Sequence, residues 1–306
     1  MCDGSWTERG KCEGSEKGFS EYGGFRAQLG VEMKLGIIGL GKMSEAILTG
    51  LRSAEKGIVQ NGAAASQFSA TTRTRDSAED CRNRLGVETS TDNVSLTRKS
   101  EIILLGVKPH QAEKVLREIA PALTSKHLLL SICASITTEQ LSTWSGGKAA
   151  VIRAMPNTPC LIRKGMTVFC AGQGVQEKHL LVAERIFSSV GKTAVVEESL
   201  MDGVTGLSGC GPAYIYLIIE ALSEAGVKVG LPRETATLLA AQTLAGSAEM
   251  VLERGVHPAA LKDEVTTPAG CTIDGLMALE EGKLRVTLIK AVLAAAKRSE
   301  KLRDKK

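Results

Sequence analysis

Long apolar segments are missing from this 306-residue chain. Its longest apolar runs, residues 102–107 and 213–219, are far shorter than the ~20 residues that a membrane-spanning helix needs. The second run also ends directly at Glu220. The sequence therefore predicts no bilayer-crossing segment and no membrane partner.

Paired cysteines and metal-binding clusters are missing as well. The eight cysteines stand singly at positions 2, 12, 81, 133, 160, 170, 210 and 271. No Cys-x-x-Cys pair occurs and no histidine lies at metal-ligand spacing from a cysteine, so we expect no metal site. The four histidines at 110, 127, 179 and 257 share no catalytic motif with a carboxylate or cysteine. Reduced thiols in a reducing compartment are the interpretation that fits.

Neither end of the chain carries a targeting or nucleic-acid-binding signal. Residues 1–32 mix Gly, Ser, Glu and Lys, without the apolar core of a signal peptide or the acid-poor, Arg-rich bias of a transit peptide. We expect a disordered leader there and a cytoplasmic protein. The net charge of +4 comes from the basic last ten residues, which we interpret as a solvated helix end, with no nucleic-acid partner.

A glycine-rich turn between a strand and a helix is the first functional motif. Residues 34–38 are short and apolar, residues 39–44 turn, and residues 45–52 have helical character. Gly39 would make the tight turn, Gly41 would let the backbone approach a pyrophosphate, and Ser44 would be the small residue where helix packs on strand. The helix N-terminal amides would then face the phosphates. A glycine turn in an unrelated α/β protein is the alternative.

The following segments alternate between strand and helix. Strands are predicted at 67–71, 101–107, 128–132, 149–154, 167–171 and 193–196, and helices at 77–85, 111–123, 138–144 and 177–190. This alternation predicts a parallel, doubly wound, Rossmann-like sheet over residues 33–197. Ligands in such sheets bind beyond the carboxyl ends of the strands, which points to residues 106–109 and 131–135.

The end of the second strand bears on the choice of dinucleotide. NAD enzymes usually place an acid there, but this chain has Thr72 and Arg73, which suit a 2′-phosphate. NADPH is therefore the expected cofactor, with NADH as the alternative. Asp76 is the counter-candidate, although it stands several residues past the strand and would also suit a helix cap.

Residues 198–306 are expected to form an all-helical substrate and dimerisation domain. Helices are predicted at 212–225, 233–253, 258–264, 272–280 and 284–303. Residues 214–222 and 238–244 are apolar nearly all round, more than a domain of this size buries alone. A homodimer formed through these helices is the prediction, and an unusually apolar monomeric bundle is the alternative.

Two segments of small residues in this half, 206–212 and 266–272, each precede a predicted helix. Small side chains at a helix N-terminus expose amides that can bind a carboxylate, so we expect both segments to form walls of a substrate site. Helix capping alone is the alternative explanation.

Five separated motifs together resemble the pyrroline-5-carboxylate reductase family. They are residues 38–43, 107–109, 155–159, 202–214 and 261–273, in that family's order along residues 33–302. The resemblance implies NAD(P)H-dependent reduction of the cyclic imine 1-pyrroline-5-carboxylate to L-proline, the last step of proline biosynthesis. It also implies a dimer that often assembles further into a decamer, with each site shared between subunits.

The motifs and the resemblance together assign the site residues. The expected cofactor-binding residues are Ile38, Gly39, Leu40, Gly41, Lys42, Met43, Thr72, Arg73, Asn93, Gly106, Val107, Lys108, Pro109, Cys133, Ala134 and Asn157. The expected substrate-binding residues are Thr266, Thr267, Pro268, Ala269, Gly270, Cys271 and Thr272. Thr272 is the expected catalytic residue, as a hydrogen-bond partner of the imine nitrogen or as a proton relay.

The chain departs from the family pattern at four small residues, where the family usually has alanine, glycine, serine and glycine: Ser44, Ser135, Cys210 and Ala269. These exchanges bear on loop geometry more than on the reaction. Two other functions stay open at this point. One is a related NADP-linked dehydrogenase for a hydroxyacid or imine, which would need a lysine or acid on the first long helix of the helical domain. The other is a catalytically silent NADPH sensor.

Overall fold

The computed structural model describes residues 33–59 and 67–304, with only the backbone described for 55–59. The expected leader, residues 1–32, lies outside the described residues. The strands are β1 Lys34–Ile38, β2 Gln67–Thr71, β3 Glu88–Ser90, β4 Ile102–Leu105, β5 Leu128–Ser131, β6 Ala150–Pro156, β7 Gly165–Ala171 and β8 Gly191–Val195. They form one sheet in the order β3-β2-β1-β4-β5-β6-β7-β8. The first six follow the 3-2-1-4-5-6 order of the Rossmann fold, which confirms the expected fold class.

Helices cover both faces of the sheet, and the alternation of side chains along the central strands explains why. Leu104 of β4 packs in one apolar core, while its neighbours Ile103 and Leu105 pack in a second core on the opposite face. Burial of one such side chain stabilises the fold by about 1.5–3 kcal/mol. The helices of this part are α1 Lys42–Val59, α2 Arg75–Leu85, α3 Asn93–Lys99, α4 Ala112–Ile119, α5 Thr138–Trp144 and α6 Glu177–Ser188.

The expectation of a wholly parallel sheet is wrong at β7. This strand runs antiparallel to β6, and β8 then pairs with β7 in parallel. The two antiparallel strands are joined by residues 157–164, which contain only a 3₁₀ turn at Thr158–Ile162. A parallel connection needs a crossover of a dozen or more residues, so this link is too short for one.

Two further differences concern the second strand and its neighbours. The short strand β3 and helix α3 were not expected from the sequence. Helix α2 begins at Arg75, and its N-cap is Thr74, whose side chain accepts from the Ser77 amide at 3.3 Å. Asp76 therefore lies inside the first helical turn and is not the cap.

The remainder of the described chain is helical, as expected. Its helices are α7 Met201–Val204, α8 Gly211–Lys228, α9 Arg233–Arg254, α10 Pro258–Glu264, α11 Cys271–Glu281 and α12 Leu284–Arg303. Helices α8 and α9 pack on each other, while α12 packs on α7 and the turn that follows it. Polar contacts also join this part to the sheet, and the division between residues 197 and 198 stays a prediction.

The segment 206–212 is helical, which corrects the expected loop. Residues Thr205–Gly209 form a π turn, in which the Cys210 amide donates to the Thr205 carbonyl at 2.9 Å. Only a bend at Cys210 separates this turn from α8. Since the Cys210 amide is used inside the helix, this segment exposes fewer free amides than a loop ending at a helix N-terminus would.

The helical part exposes an unusual number of large apolar side chains. Leu217 is 65% exposed, Leu238 68% and Leu293 63%. A monomer seldom leaves so much apolar surface in water. None of the helices among the described residues has the length and apolar character that crossing a bilayer requires.

Candidate active site

The glycine turn after β1 has a geometry that only glycine permits at its first position. Gly39 has a φ of +89°, and a Cβ built there would lie 2.7 Å from Val107 Cγ1 and 2.8 Å from the Val107 amide nitrogen. The Gly39 and Leu40 amides donate to the Thr71 carbonyl at 3.1 and 3.2 Å. The turn is therefore held between the carboxyl ends of β2 and β4.

Gly41, unlike Gly39, has free space around its Cα. A Cβ built there would meet no atom of the described chain within 4 Å, so the backbone faces open space. Helix α1 begins at Lys42, and the Glu45 amide donates to the Gly41 carbonyl at 2.8 Å. The first amides of any helix lack intrahelical acceptors and attract anions. This open cradle at a helix N-terminus fits the diphosphate of a dinucleotide.

Ser44 closes the turn from behind. Its side chain is 1% exposed, and its Oγ lies 2.0 Å from the point that a Cβ on Gly106 would occupy. Glycine at 106 is thus required for α1 to pack against the exit of β4. The Ser44 hydroxyl has no hydrogen-bond partner among the described residues.

Polar side chains line the carboxyl ends of β2 and β3. Thr71 Oγ1 donates to Asn93 Oδ1 at 2.7 Å, and Asn93 Nδ2 donates to the Glu118 carboxylate at 3.3 Å. Thr72 is half-buried and its hydroxyl donates to the Thr74 carbonyl, while Arg73 is exposed beside it. An exposed guanidinium at this edge would meet a 2′-phosphate without first breaking an ion pair.

The exits of β4 and β5 lie next to each other. Cys133 is buried, and its thiol donates to the Val107 carbonyl at 3.2 Å. Lys108 is exposed at the start of a 3₁₀ turn that begins with Pro109. One edge of the sheet therefore holds the glycine turn together with five of the expected cofactor residues: Ile38, Gly106, Val107, Cys133 and Ala134.

Asn157 has a different environment from the other expected cofactor residues. Its Oδ1 accepts from the Met166 amide at 2.9 Å, and its Nδ2 donates to the Ser208 carbonyl at 3.3 Å. The side chain thus ties the end of β6 to the π turn of the helical part. Cofactor binding by Asn157 stays a prediction.

The segment 266–272 comprises most of the loop between α10 and α11 and the first two residues of α11, and it is largely exposed. The Thr266 hydroxyl donates to the Lys262 carbonyl at 2.8 Å, and the Gly270 amide donates to the Thr267 carbonyl at 3.1 Å. Ala269 has a φ of +56°. Thr272 is half-buried in the first turn of α11, and its hydroxyl has no partner within the part of the chain that the structure describes.

A single chain does not bring this loop to the glycine turn. Helix α11 packs against α12, and neither α10 nor α11 makes an extended contact with a strand of the sheet. The expected cofactor residues thus lie together at the sheet edge, whereas the expected substrate residues lie on a separate, exposed loop.

Tyr214 stands near the start of α8, where a rival dehydrogenase would carry its catalytic group. Its hydroxyl donates to the Gly206 carbonyl at 3.1 Å, and burial raises the pKa of the phenol. This tyrosine therefore holds its own helix to the π turn. The helix has no lysine before Lys228.

Reasoning from the sequence missed a largely buried polar cluster behind the β5 exit. Its members are Ser135, Thr138, Arg153, Glu198, Asp202, Ser299 and Arg303. A signal for it exists, since an arginine in the middle of an apolar strand requires a carboxylate partner. The partners themselves are too far along the chain to be recognised. Arg303 also corrects the interpretation of the basic end as a purely solvated face, because it binds Asp202.

The fold and the cradle at its glycine turn define a dinucleotide-binding oxidoreductase with a helical second domain. A family model described as pyrroline-5-carboxylate reductase dimerisation matches residues 198–302. Residues 34–135 match a model described as NADP oxidoreductase, coenzyme F420-dependent.

Full-length relatives identify the family. The pyrroline-5-carboxylate reductase of Arabidopsis thaliana is 40% identical over 269 residues, 88% of this chain and 95% of that protein. The solved Coxiella burnetii pyrroline-5-carboxylate reductase has 35% identity and a TM-score of 0.82, covering 89% of this chain and 99% of that chain. A Plasmodium falciparum pyrroline carboxylate reductase solved with NADP bound has 34% identity and a TM-score of 0.76, covering 89% and 98%. The chain belongs to the pyrroline-5-carboxylate reductase family.

Family membership confirms the resemblance that the five motifs suggested. It also confirms that the chain is an oxidoreductase with an NADP-type dinucleotide domain. The dimerisation match supports the prediction that the helical part assembles with other copies. The roles of individual site residues and the size of the assembly stay predictions.

Proposed function

We propose that this chain reduces 1-pyrroline-5-carboxylate to L-proline with NADPH, as the last step of proline biosynthesis, with NADH as the alternative donor. The observation that carries the proposal is the cradle at Gly41, open to solvent beside the N-terminus of α1, in a chain of this family. Six described cysteines are free thiols, which suits a cytoplasmic enzyme.

In this proposal, residues 39–43 surround the diphosphate, which accepts from the Lys42 and Met43 amides at the start of α1, and Thr72, Arg73 and Asn93 bind the adenosine half. Val107, Lys108, Pro109, Cys133 and Ala134 lie along the nicotinamide half. The exposed Arg73 is the group that favours NADPH, because a guanidinium pairs with phosphate oxygens at two points. When bound, NADPH supplies the hydride that the imine carbon accepts.

The loop of residues 266–272 binds the substrate. Amides at the start of α11 hold its carboxylate, since a helix N-terminus carries partial positive charge. The Thr272 hydroxyl, which has no partner among the described residues, hydrogen-bonds to the imine nitrogen and orients the ring. The iminium form of the substrate already carries the required proton, so no strong acid is needed. Correct orientation of two reactants lowers a barrier by about 7–11 kcal/mol.

We place the complete site between two subunits. The loop of one chain lies away from its own sheet edge, and the apolar faces of α8, α9 and α12 are exposed for a partner. A homodimer formed through these helices brings the loop of one subunit to the sheet edge of the other. Further assembly into a decamer extends the same proposal, and sedimentation velocity measures it.

The first test measures oxidation of NADPH and of NADH separately with pyrroline-5-carboxylate, and then a hydroxyacid series in the reverse direction. We expect activity with the imine and preference for NADPH. Activity on hydroxyacids alone would overturn the proposal.

The second test removes the Thr272 hydroxyl. We expect Thr272→Ala to lower turnover at least tenfold while the protein stays folded and dimeric. The control is Thr287→Ala, because the Thr287 hydroxyl donates to the Lys283 carbonyl at the start of the same helix, at 3.0 Å. Near-normal turnover of a folded, dimeric Thr272→Ala protein would exclude the role.

The third test asks whether the site is shared. Gly41→Ala and Thr272→Ala impair opposite halves, so an equal mixture of the two, unfolded and refolded together, contains hybrid dimers with one intact site. At an NADPH concentration that does not saturate Gly41→Ala, random pairing in a two-fold dimer predicts recovery of about a quarter of the normal activity. No recovery in a mixture shown to contain hybrids would mean that each chain builds its own site.

A further inference from the structure

A closed circuit of polar contacts joins the loop after β5 to the last helix of the chain. Ser135 Oγ lies 3.4 Å from Ser299 Oγ, and the Ser299 hydroxyl donates to Asp202 Oδ1 at 2.7 Å. Arg153 lies 3.9 Å from the same carboxylate oxygen. The circuit thus runs from a loop of the sheet domain into α12 and back to strand β6.

The contacts continue from Arg153 through Glu198 to Thr138, three residues after Ser135, where the circuit begins. Arg153 donates to Glu198 Oε1 at 3.3 Å. Glu198 accepts from the Thr138 amide at 2.7 Å and from the Thr138 hydroxyl at 2.5 Å. Residues 135 and 138 are therefore both fixed, one through α12 and the other through β6.

Burial makes the circuit sensitive to the loss of any one member. The Arg153 side chain is 3% exposed and the Asp202 side chain 12% exposed. Arg303 pairs with the second oxygen of Asp202, so both carboxylate oxygens are occupied. Removal of one partner from a buried charged group leaves the rest uncompensated, and the neighbouring chain must then move or admit water.

Helix α12 packs directly against the backbone of the π turn at Gly206, so it cannot move closer to that turn. A Cβ on Gly206 would lie 2.8 Å from the Val292 carbonyl oxygen and 2.9 Å from the Ala296 amide nitrogen. Ser299 and Arg303 follow on the same helical face as these two residues, at spacings of three, four and seven. Backbone contact fixes the helix laterally, and the two polar side chains reach Asp202 at its end.

The loop that the circuit holds adjoins the proposed nicotinamide half. Ser135 is a non-glycine residue with a φ of +56°, a conformation that costs about 1–2 kcal/mol and persists where surrounding contacts hold it. Two residues earlier, the Cys133 thiol donates to the Val107 carbonyl at 3.2 Å. A displacement of residue 135 would therefore also move Cys133, which contacts the exit of β4 through Val107.

We propose that Ser299, together with Arg303, is a positioning residue: through Asp202 and Ser135 it holds residues 133–138 in the conformation that aligns the nicotinamide half with substrate. This inference rests on the proposed function. Neither residue touches the reactants. The last helix of the dimerisation part thereby fixes the sheet-side half of the site in its own chain.

The test compares Ser299→Ala with Ser223→Ala. Ser223 is a matched control, because it is an equally buried helical serine whose hydroxyl donates to Thr237 Oγ1 at 2.8 Å, outside the circuit. For Ser299→Ala we expect kcat to fall at least fivefold. Binding of adenosine 2′,5′-bisphosphate, which lacks the nicotinamide, stays within twofold, and Ser223→Ala keeps its kcat. Ser299→Thr, which retains the hydroxyl, is expected to recover most of the turnover.

Amide hydrogen exchange gives a readout that does not depend on catalysis. In Ser299→Ala we expect exchange over residues 133–138 to accelerate at least tenfold, while strand Gln67–Thr71 is unchanged. If Ser299→Ala does not fold, Arg303→Gln takes its place with the same expectations. Unchanged exchange at 133–138, or a kcat within twofold of the unaltered protein, would overturn the inference. If the unaltered chain fails to reduce pyrroline-5-carboxylate, the proposed function fails, and the exchange experiment still decides whether α12 holds this loop.

Discussion

Three glycine-to-alanine substitutions separate the structural and ligand-binding roles of the turn after β1. At Gly39 the added methyl meets both an unfavourable φ of +89° and the Val107 backbone at 2.8 Å. At Gly86 the φ is +61° but no atom lies within 4 Å, and at Gly41 neither problem arises. The same chemical change thus tests clash, backbone strain and ligand space separately.

The structure sets the order of the expected effects. A left-handed conformation costs a non-glycine residue about 1–2 kcal/mol, so Gly86→Ala should lose about 1 kcal/mol of unfolding free energy. Gly39→Ala adds an overpacked contact with a backbone atom that cannot rotate away, for a total of about 2–5 kcal/mol. Gly41→Ala changes only a helix N-cap and should lose about 1 kcal/mol or less.

Affinity for NADPH should follow a different order. If the diphosphate lies against Gly41, the methyl at 41 occupies its space, and Kd should rise at least tenfold, about 1.4 kcal/mol. Gly86→Ala, at the far end of α2, should leave Kd unchanged. Urea unfolding at one fixed protein concentration measures the stabilities, and NADPH fluorescence titration measures the affinities. An unchanged Kd for Gly41→Ala would refute the cradle, and a fully stable Gly39→Ala would refute the argument from packing.

Other consequences of the structure are open to equally direct measurement. Ser44→Ala removes a buried hydroxyl without a partner in the described chain, so thermal unfolding should show equal or greater stability, by up to about 1 kcal/mol. Arg73→Ser should raise the KM for NADPH at least fivefold and leave that for NADH within twofold, whereas equal effects on both would contradict a 2′-phosphate contact. In the native protein at pH 8, iodoacetamide should modify the exposed Cys271 but not Cys170, because burial raises the pKa of the Cys170 thiol to about 12. Proline should slow the reaction of Cys271 if the adjoining Thr272 binds substrate, and modification at an undiminished rate would count against that loop as the substrate site.

The bounds of helices and strands were predicted correctly from the sequence where nearby residues, such as a helix cap, mark the end of the element. The bounds of β1, β2, α5, α10 and α12 are those expected from apolar periodicity and flanking residues. Helix α5, for example, begins after Thr137, whose side chain forms a capping box with Gln140. Such signals lie within a few residues of the boundary that they define, and no tertiary contact is needed to recognise them.

Features that depend on distant contacts were missed or were wrong. The direction of β7 follows from the length of the link before it and from its pairing with β8, not from its own composition. The π turn at Thr205–Gly209 looks like a glycine-rich loop in sequence, because its small residues serve close packing against α12. The circuit around Arg153 joins residues up to 164 positions apart, such as Ser135 and Ser299, and no spacing rule connects them.

Two of the small residues at which the resemblance implies a departure from glycine lie in loops whose backbone favours glycine. Ser135 and Ala269 both have a φ of +56°, in the region where glycine is unstrained. An alanine or serine there costs about 1–2 kcal/mol in the folded state but also removes freedom from the unfolded chain, worth about 0.4–1 kcal/mol. The cost in the folded state thus exceeds the gain from the restricted unfolded chain. At Ser135 the contact with Ser299 offsets part of this difference, whereas the Ala269 side chain has no polar group that could do so. Since one loop adjoins the proposed nicotinamide half and the other carries the proposed substrate contacts, both exchanges restrict backbone motion beside the reaction without altering a reacting group. We therefore expect the chain to keep the proposed reaction, with these two loops less mobile than they would be with glycine at 135 and 269.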